Sequence, residues 1–411
     1  MPLLQYTIGL PLTQALPARY GRFVDTQLKQ YRRRQKRLKA WRLTVLIVLL
    51  AAATTLGCLH QLNLARRPVG VDALCPFGGL ESLYTLIVTG TLLQRIAWSS
   101  FILLLATVLA ALLFRRTFCG HICPLGALQE LAARLGRLLF RRRLEVPRAV
   151  DRPLRWLKYA VLVVFLALTA ILGRLAIRPY DPWVAYNHLI ASDLFREFTV
   201  GFIVLAASLA GSLLFDRVFC KYLCPMGAFL ALIRRIGWFR VRRNEATCTH
   251  CHACDKACPV NIPVEAVVEV HSAECIHCNL CLNACPVPDT LILAGPRGRG
   301  RASAAGALWI TVAIFAAVIG VTSLTGDFQW TLKPLAETVQ PGKEFDPALI
   351  KGSDTFAAVS ELTGIPMERF LERFRISEEE FRQPIRDAAH REGSGFETEE
   401  VREFVREQLG R

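Results

Sequence analysis

Eight cysteines between Thr247 and Pro286 carry the clearest chemistry in this 411-residue chain. They form two runs, Cys248, Cys251, Cys254, Cys258-Pro259 and Cys275, Cys278, Cys281, Cys285-Pro286, and both read C-x2-C-x2-C-x3-C-P. That is the spacing of bacterial two-cluster [4Fe–4S] modules, in which each cubane takes three cysteines from one run and the fourth from the other. On this pattern Cys248, Cys251, Cys254 and Cys285 hold one cluster, and Cys275, Cys278, Cys281 and Cys258 the other. A cubane needs three thiolates on adjacent corners, which a tight loop with two-residue gaps supplies, while the fourth arrives from another backbone direction. The proline after the last cysteine turns the chain away. C-x2-C pairs also hold tetrahedral zinc, but two matching runs of four, each ending in Cys-Pro, argue against it.

A second set of cysteines lies in an internal repeat. Leu112–Gly136 and Leu213–Gly237 align without a gap at an offset of 101 residues, and each contains Phe-Cys-x3-Cys-Pro-x-Gly-Ala followed by an amphipathic basic stretch. Two pseudo-equivalent halves would bring Cys119, Cys123, Cys220 and Cys224 together. Pro124 and Pro225 suit the first position of a helix, which leaves Cys123 and Cys224 as caps where the helix dipole favours a thiolate. Four converging thiolates are the ligand set of a further Fe–S centre, with Arg116 and Arg217 to offset its charge. The alternatives are a metal-free thiol system, or cysteines and prolines that merely end spans. A third Cys-Pro-x-Gly begins at Cys75, but the position four residues earlier is Val71, and a structural thiol explains Cys75 equally well.

Other residues carry less. His250, His252 and His277 sit between cluster cysteines, where hydrogen bonding tunes a potential; plain surface histidines are the simpler reading. His60 and His188 flank the same side of the chain's apolar spans and are a weak candidate pair for haem b. Arg178-Pro179-Tyr180-Asp181-Pro182-Trp183 has the mix of an interfacial anchor, a reading favoured over a quinone head-group site. Lys158 and Arg174 fall near the ends of an apolar run, where snorkelling accounts for them.

These groups must be positioned by a membrane protein. The chain is 53% hydrophobic with a mean hydropathy of +0.33, too apolar for an ordinary soluble domain. Apolar runs at Leu43–Leu62, Ile96–Phe114, Trp156–Ile177, Phe198–Phe215 and Ala304–Leu324 are each long enough to cross a hydrocarbon core of about 30 Å. Segments 1–42, 115–155 and 216–303 carry 10, 10 and 11 Lys and Arg residues, against 3 in 63–95 and 2 in 178–197. Positive connections stay in the cytoplasm, so the N-terminus and the cysteine runs face inward, with Cys75, His188 and everything after Leu324 outward. No cleavable signal precedes the first span. The net charge of +16 therefore reflects topology rather than nucleic-acid binding. The reducing cytoplasm also suits cluster thiolates.

The tail from Glu344 to Arg411 is acidic, net −6. Asp354–Leu362 and Glu368–Phe374, joined by Thr363-Gly364-Ile365-Pro366, and then Thr398–Leu409, have helical apolar spacing. A small helical cap or docking domain fits better than a DNA-binding helix pair on the far side of a membrane.

Two C-x3-C-P elements after apolar spans, followed by a double-cluster ferredoxin, resemble the membrane-bound polyferredoxin family. Its members include the NapH-type quinol-dehydrogenase subunit of periplasmic nitrate reductase and the NosR-type membrane module that supplies electrons to nitrous-oxide reductase. The resemblance covers about residues 41 to 325. It implies a multi-pass protein of the bacterial inner membrane that exchanges electrons between the quinol pool, cytoplasmic-side clusters and a periplasmic ferredoxin, cytochrome or reductase subunit. The acidic tail and the Leu74-Cys75-Pro76-Phe77-Gly78-Gly79 segment depart from that pattern and leave the partner open.

The expected fold is an all-α polytopic membrane protein of two halves with an inserted α+β ferredoxin. Its parts are a basic arm (1–42), a four-span core (43–243), a two-cluster ferredoxin (244–296), a fifth span (303–325) and a helical outer domain (326–411). No nucleophile with its base, phosphate loop or dinucleotide fingerprint is present, so no catalytic residue is assigned. The rival to an electron carrier is a redox sensor or maturation protein for a periplasmic metalloenzyme.

Overall fold

The computed structural model describes residues 18–61, 68–70, 75–90, 98–140, 144, 146–172, 175–191, 194–296, 300–331, 335, 345–350, 352, 354–389, 391 and 395–410. Leu62, Val71, Leu74, Ile96 and Arg174 lie outside these residues.

Helix α1 (Ala18–Gln61) is one helix of 44 residues. The basic arm and the first span are therefore continuous: Lys, Arg, Gln and Leu are good helix formers, and no proline interrupts them between Pro17 and Pro68. At 1.5 Å per residue the helix runs about 66 Å, twice what a bilayer core needs. Helix α2 (Pro76–Thr89) occupies the connection that follows. Pro76 opens it behind Cys75, and Gly90, in the left-handed region at φ 71°, closes it on Leu86 O. Its 14 residues are too few to span.

The first half continues with α3 (Trp98–Phe114), α4 (Thr117–His121) and α5 (Pro124–Phe140), and the second repeats the order. It contains α6 (Arg148–Leu172), α7 (Pro182–Asn187), α8 (Leu194–Glu197), α9 (Thr199–Leu214), α10 (Val218–Tyr222) and α11 (Pro225–Ile233). Asp181 caps α7 by accepting from Trp183 N at 2.8 Å, so α7 starts at Asp-Pro as α2 starts at Cys-Pro. Among the described residues three helices are long and apolar enough to cross a membrane, at 25–61, 149–172 and 304–324. The other two expected spans are apolar helices of 17 and 16 residues, α3 and α9.

The halves interlock. Leu125 and Ala127 of α5 share a buried core with Leu46 and Leu50 of α1, Leu205 of α9, Trp183 and Phe219. A second core joins α2, α3 and α11 to the ferredoxin. The helix after each Cys-Pro thus packs on elements of the opposite half.

The ferredoxin is held together by a three-stranded antiparallel sheet: β1 (Arg240–Arg243), β2 (Leu291–Ala294) and β3 (Arg301–Ala302), in that order. Arg240 faces Ala294 and Arg243 faces Leu291, so β1 and β2 clasp the chain on either side of both cysteine runs. The short helix α12 (Ala253–Ala257) lies within the first run. Ser303 directly after β3 caps α13 (Ala304–Leu324) through Gly306 N, which leaves no slack between sheet and helix.

The tail folds around Phe356, Phe370, Phe374, Phe381, Phe396 and Phe404. Its helices are α14 (Phe356–Thr363), α15 (Met367–Phe374), α16 (Glu378–Phe381), α17 (Ile385–Ala389) and α18 (Thr398–Gln408). Gly364, at φ 72°, ends α14 where the Gly-x-Pro stop was expected.

Candidate redox site

Each cysteine run forms a loop whose intervening residues adopt left-handed backbone: His250, His252, His277 and Asn279 have φ between 50° and 58°. That curl turns the thiols of a run toward a common centre. One cavity is lined by Cys248, Cys251, Cys254 and Cys285. Another is lined by Cys258, Cys275, Cys278 and Cys281. The partition is the crossed one that the spacing implies, because β1 and β2 fold the end of each run against the start of the other. A mononuclear zinc site holds its thiolates roughly 3.8 Å apart, given Zn–S bonds near 2.3 Å. Among the described residues no three cysteines come within 4.8 Å of one another; the one such ligand group is His252, Asp255 and Glu265. The two cavities differ in character. Val241, Val260, Ile262, Val264, Val270 and Ile276 wall the second, whereas Arg243, Thr249, His252 and Glu265 border the first, where Cys251 is exposed.

The four repeat cysteines also converge. Cys119 and Cys123 lie one helical turn apart across α4, and Cys220 and Cys224 across α10. Gly126 N donates to Cys123 Sγ at 3.4 Å and Gly227 N to Cys224 Sγ at 3.3 Å, so both Cys-Pro residues cap as their sequence suggests. Gln129 of α5 reaches Cys220 Sγ at 3.2 Å. Cys224 lies in electrostatic range of Cys119, Cys123 and Cys220, and Cys123 of Cys119 and Cys220. Arg116 and Arg217, repeat equivalents and both fully buried, cross between the halves. A Cβ on Gly126 would stand 3.0 Å from Arg217 Nη1, and one on Gly227 2.8 Å from Arg116 Nη2. The glycine of each Cys-Pro-x-Gly therefore makes room for the other half's guanidinium.

Two buried acids hold these arginines, and the sequence reading missed both. Glu130 of α5 pairs bidentately with Arg42 at 2.9 and 2.7 Å and with Arg217 at 2.8 Å. Glu274, just before the second cysteine run, pairs with Lys158 at 2.5 Å and lies 3.7 Å from Arg116. Lys158 is fully buried and does not snorkel; its ammonium turns inward because an anion of the ferredoxin meets it there. A usable signal was present, since Glu130 is the one acid in Pro124–Phe140.

The ferredoxin docks through this same region. Arg115 donates to Val270 O at 3.1 Å and Arg116 to Ala273 O at 2.7 Å. At Gly120, between Cys119 and Cys123, a Cβ would come within 2.4 Å of Ile276 O and 3.0 Å of Cys278 Cα. Only a glycine lets the two cysteine sets approach this closely. His277 is buried, with neither ring nitrogen hydrogen-bonded, and burial pushes it down to about 3, so it is neutral. The surface reading holds for His250 and His252, which are exposed and face Glu265 and Asp255, but not for His277.

On the opposite side of the bundle His60 Nδ1 meets Pro68 O at 2.8 Å, and His188 packs on the Phe198 ring at 4.2 Å. Trp183 is buried and stacks on Tyr186, so the interfacial anchor reduces to Tyr180, which is exposed. Cys75 is partly buried at the start of α2.

Comparison with known proteins agrees with this arrangement. A 4Fe-4S binding domain matches twice, at 96–147 and 198–244, once in each half, and a 4Fe-4S dicluster domain matches 240–286. No solved structure matches. The chain is 34% identical over 271 residues to the putative electron transport protein YccM of Escherichia coli, covering 64% of this chain and 76% of that one. It is 31% identical over 155 residues to the ferredoxin-type protein NapH of E. coli, covering 37% and 50%. With the regulatory protein NosR of Pseudomonas aeruginosa it shares 36% over 164 residues, 39% of this chain and 22% of the relative. Two matching halves with paired Cys-Pro turns, apolar helices and a dicluster module make this chain a member of the NapH/NosR-type family of membrane polyferredoxins.

Proposed function

We propose that the chain carries electrons between a quinol in the bilayer and two [4Fe–4S] clusters on the cytoplasmic side, linked to a redox partner across the membrane. Cys248, Cys251, Cys254 and Cys285 would hold one cubane, and Cys258, Cys275, Cys278 and Cys281 the other. Cys119, Cys123, Cys220 and Cys224 would hold a further centre between the quinol and those clusters. The clusters supply one-electron chemistry when bound. The chain's residues supply thiolates, exclude water and balance charge, with Arg116 and Arg217 against the thiolates and Glu130 and Glu274 against the arginines.

One observation carries this reading: the turn bearing Cys119 and Cys123 touches the second cysteine run at Gly120. The cubane of the second run is then nearest the membrane centre, and the cubane beside the exposed Cys251 is farther out. Cys123→Ser and Cys224→Ser test it as a pair. A shared centre requires equal loss of iron and of quinol-dependent reduction of the cubanes from either variant. Full iron content with normal electron transfer in both would overturn the role of the four cysteines.

The proposed topology has five spans, with the ferredoxin in the cytoplasm and the acidic tail outside. It rests on the Lys and Arg distribution and on α3 and α9 spanning despite helical lengths of about 25 Å. A reporter active only in the cytoplasm should be silent when fused after Arg411 and active when inserted after Gly295. The reverse pattern would refute the orientation. The regulatory name of one relative favours a sensor as the second reading. Steady multiple-turnover reduction of the clusters by quinol separates a carrier from a sensor.

A further inference from the structure

Glu81 is a fully buried acid that no part of this scheme uses. It sits one turn into α2 and takes part in none of the ion pairs that neutralise Glu130 and Glu274. Its Oε1 accepts from Thr169 Oγ1 of α6 at 2.7 Å, and Thr169 in turn accepts from Ala176 N at 3.2 Å. Its Oε2 is buried without a partner. Among the described residues the charged or titratable groups in electrostatic range are Asp181 and Cys75, the caps of α7 and α2, and neither is a cation. From the other elements packed on α2, α3 presents the buried Ser99 and Ser100, and α11 the apolar Met226 and Leu230.

A carboxylate so placed loses its hydration and gains no counter-charge, so the neutral acid is favoured. Burial pushes Glu81 up to about 8, the neighbouring Asp181 adds to this, and hydrogen bonds from Thr169 and from the Ile177 backbone N–H oppose it. Because Thr169 occupies Oε1, the proton belongs on Oε2. A buried O–H donor with nothing to donate to is the complement of a carbonyl oxygen that arrives from an apolar phase. Two features tie the spot to the redox site: Phe77 and Leu80 of α2 share a core with Met226 of α11, the helix that begins at Cys224-Pro225, and Asp181 is partly exposed, which gives a proton a way out.

We propose that Glu81 binds one oxygen of a quinone through Oε2–H and carries the proton that this oxygen gains or loses. The proposal rests on the quinol reading above and names its site. Oxidation of one hydroquinone releases two electrons, to oxidised iron–sulfur groups held by the chain's cysteines, and two protons. Glu81 first gives its Oε2 proton to water by way of Asp181; the carboxylate so formed takes the proton of one O–H bond at Oε2, and the second proton leaves to water through Asp181. Reduction runs the same transfers backwards.

The test uses the full-length, cluster-loaded protein in detergent with a short-chain ubiquinone analogue and its hydroquinone. Glu81→Gln keeps a donor in place but not a transferable proton, so quinone affinity should stay within a few-fold of wild type. Hydroquinone-driven cluster reduction should fall by roughly 100-fold or more, the usual range for a lost acid–base group. Glu81→Leu should lose both. Infrared difference spectra on adding quinone should show a protonated-carboxyl band shift in wild type that is absent from Glu81→Gln. If Glu81→Gln is reduced at the wild-type rate, or no carboxyl band responds to quinone, Glu81 is not the site. If hydroquinone fails to reduce wild-type clusters that dithionite does reduce, the quinol reading itself falls.

Discussion

Glu130→Ala is expected to cost about 3–5 kcal/mol of stability, the penalty for removing one partner of a buried ion pair. The figure belongs at the upper end because two guanidiniums, Arg42 and Arg217, lose their anion together, and both are fully buried. Arg42 belongs to α1 and Arg217 leads into α10, so this one carboxylate ties the first helix to both halves of the bundle. Arg134→Ala is the control. That arginine meets Glu130 at 3.2 Å from a half-exposed position, and such pairs contribute about 0–1 kcal/mol. Thermal unfolding in detergent, followed by circular dichroism, measures both. A Glu130→Ala protein within 1 kcal/mol of Arg134→Ala would mean that water reaches the guanidiniums and that the network is not a structural tie.

The second large effect concerns cluster content. Cys258→Ala and Cys275→Ala are expected to remove the same cubane, although they lie in different runs, because both thiols line the apolar cavity. Cys285→Ala and Cys248→Ala are expected to remove the other. Each variant should lose about half of the ferredoxin-bound iron and acid-labile sulfide. Electron paramagnetic resonance of the reduced protein then shows which signal is lost. Loss of one signal from Cys258→Ala and Cys248→Ala alike would mean that each run holds its own cluster.

Much of this arrangement was legible from local spacing, because spacing is what local chemistry constrains. The C-x2-C-x2-C-x3-C-P runs set which thiols share a loop, Cys-Pro set where α5 and α11 begin, and Gly364 set where α14 ends. What spacing cannot carry is the identity of a distant partner. Lys158 looked like a residue reaching for water because its anion, Glu274, lies 116 residues away. His277 looked like the other loop histidines because nothing local says that the membrane turn at Gly120 covers it. The helix α2 went unread because attention to Cys75 as a thiol hid its role as the residue before a helix-starting proline. The basic arm was separated from the first span because polarity changes at Arg42 while helix propensity does not.

Helix α1 also runs back along the ferredoxin, where Tyr31 Oη reaches Cys285 O at 3.4 Å across 254 residues of sequence. This joins the earliest helix to leave the ribosome to the last cysteine of the second run. At bacterial synthesis rates the arm waits about 13 to 50 s for its partner. On the crossed ligation proposed above, the first run would still lack its fourth ligand, Cys285, for about the last 31 residues of that wait. Neither ferredoxin cubane would then close before the whole module has been made, with a helical post for it to fold against.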